Sequence, residues 1–263
     1  MESFICYNRD REIIQPMLKH GNECLQAVII IQSKIDKEAR EILKQDNTIA
    51  VLATIDKAGS PHLDIISSLQ GLGDNAITLN LTGNERGKRF YRPDAAFLVL
   101  SPDMNWLRGS MHYTHFEDNG GIRTCFFDLI SIDEIRKLSA RMIFFGTAVS
   151  HLKARIISAG TRDNSINTSL AMFLEAKAYK FLCWEEDKNL SDIVPVVQAV
   201  PSGADRIVFS SIPHGEDFAD ADMGANAAII CLYPKVQSML VKGALISKGV
   251  MQIKQIYDIE RMG

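Results

Sequence analysis

Two stretches of this sequence resemble each other at a separation of 132 residues. Residues 94–102 (DAAFLVLSP) and residues 226–234 (NAAIICLYP) share Ala, Ala, Leu and Pro at the same places. A second resemblance, between residues 75–79 and 205–209, has a separation of 130 and precedes the first in both copies. Because this period is much longer than a solenoid unit, it predicts two domain-sized copies of one β-rich module.

The separation between the copies also predicts an insertion. Residues 145–148 (FGTA) resemble residues 242–244 (KGA) at a separation of 97, which is 35 less than 132. We therefore expect copy one to carry an insertion at 103–138 that copy two lacks, and to resume its sheet at 142–150. A chain of 263 residues suits two domains. The expected divisions are an N-terminal extension at 1–35, copy one at 36–163 and copy two at 166–263.

Within each copy the residue pattern predicts a short helix followed by strands. Asp36 stands where an N-cap belongs, before the strong helix formers of 37–44. An apolar run at 49–55, a turn with Gly and Pro at 56–61 and alternation from residue 62 predict a hairpin. The fold class we expect is β-rich α+β, with two tandem antiparallel barrels of about six strands each and short helices.

Composition restricts the partners and the compartment. The net charge of −3 provides no general attraction to nucleic acid or to anionic membranes. Five scattered cysteines, with no C-x-x-C pair, argue against a disulfide framework and favour a reducing compartment. The first residues lack the basic and apolar regions of a signal peptide. We expect a cytoplasmic protein with a small-molecule partner and with no nucleic-acid or membrane partner.

The order of motifs in copy one resembles a known family. Residues 52–61 (LATIDKAGSP) end a strand in a Gly-x-Pro hairpin, and residues 82–96 join a loop with Thr and Arg to a short helix and a buried strand. Residues 146–148 (GTA) are similar to a later Gly-x-Ala element. This pattern resembles the FMN-binding split barrels, the fold of pyridoxamine 5′-phosphate oxidases. The resemblance implies that two barrels pack together with FMN between them, here as an intramolecular pseudo-dimer.

Candidate cofactor residues lie in a basic loop and on one strand. The loop at 82–92 has the composition of a phosphate site, because Arg and Lys side chains and free backbone N–H groups converge on an anion. The alternative is an ordinary solvated basic loop. The resemblance implies that the strand at 64–67 lies against the flavin ring and that Lys242 faces it from copy two. The alternatives are plain sheet packing for the strand and an exposed strand position for the lysine. The residues assigned to FMN are Asp64, Ile65, Ile66, Ser67, Thr82, Asn84, Arg86, Lys88, Arg89 and Lys242.

The corresponding loop of copy two has the opposite charge. Residues 214–222 (HGEDFADAD) contain four acids and neither Lys nor Arg. Because an acidic loop repels a phosphate, we expect one FMN per chain, anchored by copy one, with copy two supplying the opposite wall.

Aromatic and histidine side chains of the expected insertion are candidates for substrate contact. Trp106, His112, Tyr113 and His115 lie together there, and His214 lies in copy two. They either cover a substrate pocket or form a local core under a long loop. No third ligand accompanies the two histidines, so we expect no metal site.

Two functions are compatible with these features. The first is an FMN-binding oxidoreductase-like protein, resembling pyridoxamine 5′-phosphate oxidases and acting on an unknown small molecule, in which FMN supplies the redox chemistry. The alternative is a non-catalytic flavin- or haem-binding module of the same fold. No catalytic residue is assigned, and the chain is expected to be a monomer with an internal pseudo-dimer or a homodimer.

Overall fold

A computed structural model provides the structure of the protein. It describes residues 6–8, 11–13, 17–20, 23–26, 34–66, 68–81, 90–158, 174, 178–186, 189–203, 205–211, 217–218, 221–233 and 237–259. None of the helices in this part of the chain is long and apolar enough to cross a membrane.

Short hairpins and one helix precede the first large sheet. The two hairpins are built from β1 (Cys6–Asn8), β2 (Arg11–Ile13), β3 (Met17–His20) and β4 (Glu23–Gln26). Helix α1 (Lys37–Lys44) begins as predicted, because the Asp36 carboxylate accepts a hydrogen bond of 2.7 Å from the Ala39 N–H. Ile42 and Leu43 are buried and anchor the helix to the first sheet.

The first sheet contains eight strands and follows the order β6-β5-β9-β10-β11-β8-β7, with β12 paired to β10. Its strands are β5 (Ile49–Ile55), β6 (Pro61–Ile66), β7 (Leu69–Leu72), β8 (Ala76–Leu81), β9 (Asp94–Leu100), β10 (Asn105–Asn119), β11 (Ile122–Ile132) and β12 (Arg136–Lys137). The two strands at the ends of this order are consecutive in the chain, and residues of all its long strands share one core. The sheet therefore curls around that core as a split barrel, which we call the first barrel.

The second sheet also contains eight strands and follows the order β14-β13-β18-β19-β20-β17-β16, with β15 paired to β13. Its strands are β13 (Tyr179–Glu186), β14 (Asn189–Leu190), β15 (Val194–Pro195), β16 (Val200–Ser202), β17 (Arg206–Val208), β18 (Asn226–Tyr233), β19 (Gln237–Ser247) and β20 (Val250–Ile259). It encloses its own core and forms the second barrel. The expected fold class, two tandem antiparallel split barrels, is confirmed.

The two barrels match strand by strand and residue by residue. Ala50 pairs with Val99 in the first sheet, and Lys180 pairs with Cys231 in the second, which gives offsets of 130 and 132. The offset of 132 continues into the next strand. Met111 pairs with Ala95, and Gly243 pairs with the equivalent Ala227, so Met111 corresponds to Gly243. Both sequence resemblances therefore reflect equivalent positions in equivalent strands.

The predicted insertion at 103–138 is wrong. This region forms β10 and β11, which hold the same places in the first sheet as β19 and β20 hold in the second. Asp128, which pairs with Ala76, corresponds to Gln252, which pairs with Arg206, so the offset falls from 132 to 124. The first hairpin is thus longer by eight residues rather than 35. The resemblance between residues 145–148 and 242–244 was misleading, because it matched small residues in elements that are not equivalent.

The strand expected at 142–150 is instead part of helix α2 (Ala140–Ser158). Gly146, Ser150 and Ala154, which are spaced four apart, are its buried residues. A Cβ on Gly146 would lie 3.2 Å from the Gln198 side chain, so the small residue lets the helix approach the second barrel closely. The Gly146-Thr147-Ala148 motif is therefore not the family's strand element. A short apolar run does not distinguish a strand from a helix, which explains the error.

A third hydrophobic cluster joins the two barrels. In β5 and β9, Leu52 and Phe97 point into the first core, whereas Val51 and Leu98 point the other way into the shared cluster. Their counterparts in the second barrel show the same alternation: Leu182 lies in the second core and Phe181 in the shared cluster. The barrels pack face to face through equivalent surfaces, which makes the chain an intramolecular pseudo-dimer.

Candidate functional site

The pseudo-dimer contains two related places where one barrel meets the other. At the first, which we call the first junction, β6 and the turn before it face β18 and β19. At the second junction, the strand β14 and residues Asp192 and Asp217 face β9 and β10. Because the barrels have equivalent strand orders, each junction is the counterpart of the other, and the side chains at the two junctions can be compared directly.

A single ion pair crosses the first junction in the described part of the chain. Lys242 Nζ on β19 lies 2.5 Å from Asp56 Oδ2, in the turn between β5 and β6. The other oxygen of Asp56 accepts hydrogen bonds from the backbone N–H groups of Ala58 and Ser60, which fixes the carboxylate. Lys242 is buried, and its ammonium lies 5.9 Å from the ring centre of Tyr257. The turn of one barrel is therefore held against a strand of the other.

This environment changes the acidity of Asp56. Partial burial raises the pKa of its carboxyl, whereas the hydrogen bond from Lys242 and those from the backbone lower it by more. The net pKa lies below the usual value for aspartate, so the carboxylate is charged at neutral pH.

The strand assigned to the flavin ring lies at this junction. β6 is an edge strand of the first sheet, so its outer backbone groups are not paired to another strand of that sheet. Ile65 packs into the cluster between the barrels, Ile66 packs into the first core, and Asp64 contacts His62 at 3.3 Å. Lys242 is on the opposite barrel, as expected. Ser67 and the loop residues Thr82, Asn84, Arg86, Lys88 and Arg89 lie outside the described residues.

The second junction is occupied by a buried arginine and three carboxylates. Arg108 Nε donates to Asp133 at 2.6 Å, and its Nη2 lies 2.8 Å from Asp217 and 3.5 Å from Asp192. The side chains of Arg108 and Asp217 are 6% and 7% exposed. Since Asp192 and Asp217 belong to the second barrel and Arg108 to the first, the network ties the two barrels together.

Two further side chains complete this network. Arg136 lies 3.6 Å from Asp217, and the guanidinium groups of Arg108 and Arg136 both lie 5.5 Å from the ring centre of Trp106. Burial lowers the pKa of Arg108, but the carboxylates of Asp192, Asp133 and Asp217 raise it by more, so the guanidinium stays protonated. Asp217 thus belongs to the acidic loop, and cations of the first barrel neutralise it.

Sequence reasoning missed most of this second network. Asp133, Arg136, Asp192 and Asp217 were not assigned to a site. The offset of 130 was the available signal, because it places Asp217 at the position equivalent to residue 87, inside the basic loop of copy one. An acid there requires cations nearby if it is to be buried.

The residues expected to contact substrate lie on β10 and not on a long loop. Trp106 is buried between the barrels, and Tyr113 stacks on Phe90 with ring centres 4.7 Å apart. His112 and His115 are exposed: His112 Nδ1 lies 2.8 Å from Asp94, and His115 stacks on Phe126. Tyr113 packs against the first core, whereas His112 and His115 are exposed, so these side chains do not converge on one pocket wall. Their role in substrate binding stays a prediction, and His214 lies outside the described residues.

The described residues contain a cavity between α2 and the second barrel. Its volume is about 490 Å³, and apolar side chains of α2, Leu174 and Val200 line it together with Lys180, His151 and Gln198. Lys180 is buried and donates to the Val197 carbonyl at 3.0 Å, and burial lowers its pKa. Among the described residues, no group of His, Cys, Asp or Glu side chains is suited to hold a metal ion.

Comparisons with known proteins give distant likenesses. No protein-family profile matches the sequence, and no curated protein matches it. An FMN-binding protein from Syntrophomonas wolfei is 16% identical, over 39% of this chain and 86% of that one, with a TM-score of 0.34. HupZ from Group A Streptococcus is 14% identical, over 40% and 95%, with a TM-score of 0.33.

A flavin reductase follows the same pattern of distant likeness. The styrene monooxygenase flavin reductase from Pseudomonas putida S12 is 8% identical, over 40% of this chain and 98% of that one, with a TM-score of 0.29. Each of these three matches covers well under half of this chain. The assignment of the fold therefore rests on the strand order and register described above.

Proposed function

We propose that this protein binds one FMN at the first junction and acts as a flavin-dependent oxidoreductase-like protein. The observation that carries the proposal is the difference between the two junctions. The second junction is filled by the Arg108 network, whose acids oppose a phosphate. The first junction has an edge strand, a buried cation on the opposite barrel and the basic loop at 82–92 in the same half of the chain.

The residues of the first junction fit a flavin. Outward backbone groups of β6 are suited to bond the polar edge of an isoalloxazine ring, and Ile65 provides an apolar surface beside them. Arg86, Lys88 and Arg89 would hold the phosphate, since guanidinium and ammonium groups bind it strongly. When bound, FMN supplies hydride or electron transfer, and the chain binds and orients it. The proteins to which this chain bears a distant likeness include flavin-binding proteins, which is compatible with the proposal.

We further propose that the chain arose by tandem duplication of a single barrel. Equal strand orders in the two sheets, and the constant offset of 132 from β9 into β10, support a common origin for both. Fusion of the two copies removes the need for identical junctions, so that one junction is free to keep a ligand while the other becomes structural. The expected cytoplasmic location and oligomeric state stay predictions.

The absorbance spectrum of the purified protein tests the proposal. We expect flavin bands that a reductant bleaches, and mass spectrometry of the released ligand should identify FMN at one per chain. The double reversal Arg86→Glu with Arg89→Glu should abolish flavin retention, whereas Lys34→Glu with Lys37→Glu, two exposed positions at the start of α1, should not. Colourless protein that takes up no FMN on titration would refute flavin binding, and two FMN per chain would refute the asymmetry.

A further inference from the structure

Helix α2 exposes four of its large apolar side chains to solvent, whereas small residues, together with Ile143 and Ile157, face the protein. Gly146, Ser150 and Ala154 are buried against the second barrel. The exposed fractions of its large residues are 78% for Phe144, 60% for Phe145, 62% for Leu152 and 69% for Ile156. A surface helix normally has the reverse arrangement, with its apolar stripe towards the core. Exposed apolar residues that are contiguous in this way indicate a surface that another body covers.

The charges of α2 indicate which kind of partner covers this surface. The helix contains Arg141, Lys153 and Arg155 but no Asp or Glu, although the whole chain has a net charge of −3. Arg141 and Arg155 are exposed, and at 1.5 Å per residue they lie about 21 Å apart along the helix. Phe144 and Leu152 lie between them. An apolar stripe bounded by cations is typical of helices that lie in the interface of an anionic membrane.

A second copy of the chain is a less suitable partner for this face. A two-fold dimer would bring α2 against α2 and would place cations of both helices in one interface with no acid from either helix. In contrast, acidic lipid headgroups complement Arg141 and Arg155, while the apolar side chains enter the acyl boundary.

We propose that the outer face of α2 docks the protein on a membrane surface that contains anionic lipid. The docking face consists of Arg141, Phe145, Leu152, Arg155 and Ile156, with Phe144 at its edge, where this side chain also borders the cavity between α2 and the second barrel. The helix lies on the surface and does not cross the bilayer. This inference replaces the expectation from net charge that the protein has no membrane partner, because the positive charge is local to one helix. It does not depend on flavin binding.

Vesicle sedimentation tests the proposal with the full chain. Vesicles of phosphatidylcholine and phosphatidylglycerol at 3:1 should sediment the protein at 50 mM KCl, and binding should fall at least tenfold with pure phosphatidylcholine or at 300 mM KCl. Phe144→Ser with Leu152→Ser and Ile156→Ser should lose at least tenfold in binding. Arg141→Glu with Arg155→Glu should lose as much, since each cation contributes roughly fivefold.

Matched controls make the result interpretable. Leu72 and Met223 are exposed apolar residues of the barrels, at 51% and 75%, and Leu72→Ser with Met223→Ser should bind vesicles as the wild type does. Circular dichroism verifies that each variant is folded, which is expected because all the changed side chains are exposed. The proposal is overturned if the wild type does not sediment with anionic vesicles, or if the α2 variants bind as well as the wild type. It is equally overturned if the α2 variants abolish a concentration-dependent dimer and the wild type binds no vesicles.

Discussion

Replacement of Arg108 by leucine tests whether the second junction is a structural lock between the barrels. Leucine is the residue that the second barrel has at the equivalent position, Leu240, so the side chain suits this face of the strand. The change removes the cation nearest to Asp217, which is 7% exposed, and leaves Arg136 at 3.6 Å. Loss of one member of a buried ion pair typically costs 3–5 kcal/mol.

The cost at Arg108 should fall at the low end of that range. Asp133 and Asp192 are more exposed than Asp217, so water solvates their carboxylates when Arg108 is removed. The loss of each of these two ion pairs therefore costs only about 0–1 kcal/mol of stability. Arg136 also retains part of the attraction to Asp217. We therefore expect Arg108→Leu to lower the free energy of unfolding by about 3 kcal/mol.

Urea unfolding followed by tryptophan fluorescence measures this change, because both tryptophans are buried and Trp106 lies beside Arg108. The double variant Arg108→Leu with Asp217→Leu removes both charges, so it should recover to within about 1 kcal/mol of the wild type. A loss below 1 kcal/mol in the single variant would refute the structural role. A double variant as unstable as the single one would show that the cost comes from packing and not from the buried charge of Asp217.

Three further changes are expected to alter stability. Asp56→Asn should cost about 2 kcal/mol at pH 7 by urea unfolding, because it leaves the buried Lys242 ammonium with a neutral amide oxygen in place of a carboxylate. Because folding lowers the pKa of Asp56, its contribution is present above about pH 4, and the difference between variant and wild type should vanish as acid protonates the folded carboxylate. Gly243→Ala should cost at least 2 kcal/mol in the same assay, because its Cβ would overlap the Gln252 carbonyl; a neutral result would mean that the bulge relaxes freely. Asp36→Ala should cost about 1 kcal/mol of thermal stability through loss of the cap on α1, and an unchanged melting temperature would contradict that role.

Local patterns in the sequence were sufficient to predict most of the fold. The cap at Asp36 and the hairpin around Gly59 both follow from residue type and period. The errors came where alignment of the two copies relied on small residues. Gly146 and Gly243 both avoid a close contact, one in a helix and one in a β-bulge, so glycine alone did not identify the element.

The site was harder to predict because its partners come from different barrels. Arg108 and Asp217 are 109 residues apart in the chain, and Lys242 and Asp56 are 186 apart. No local period relates such residues, and their contact depends on which faces of the two barrels meet. Lys242 was assigned to the interface through family resemblance, whereas its pairing with Asp56 required the structure.

The two buried cations lie at different positions on equivalent strands of the two barrels. Arg108 and Lys242 lie on the same face of β10 and β19, but in register Arg108 corresponds to Leu240 and Lys242 corresponds to Ser110. Each cation therefore stands where the other barrel has a neutral residue, two positions along the strand. A symmetric dimer of identical barrels would instead carry the same side chains at both junctions. Because this chain has a different cation at each junction, Asp56 pairs with Lys242 at the first, whereas Asp133, Asp192 and Asp217 surround Arg108 at the second, so the two junctions differ in their charge balance.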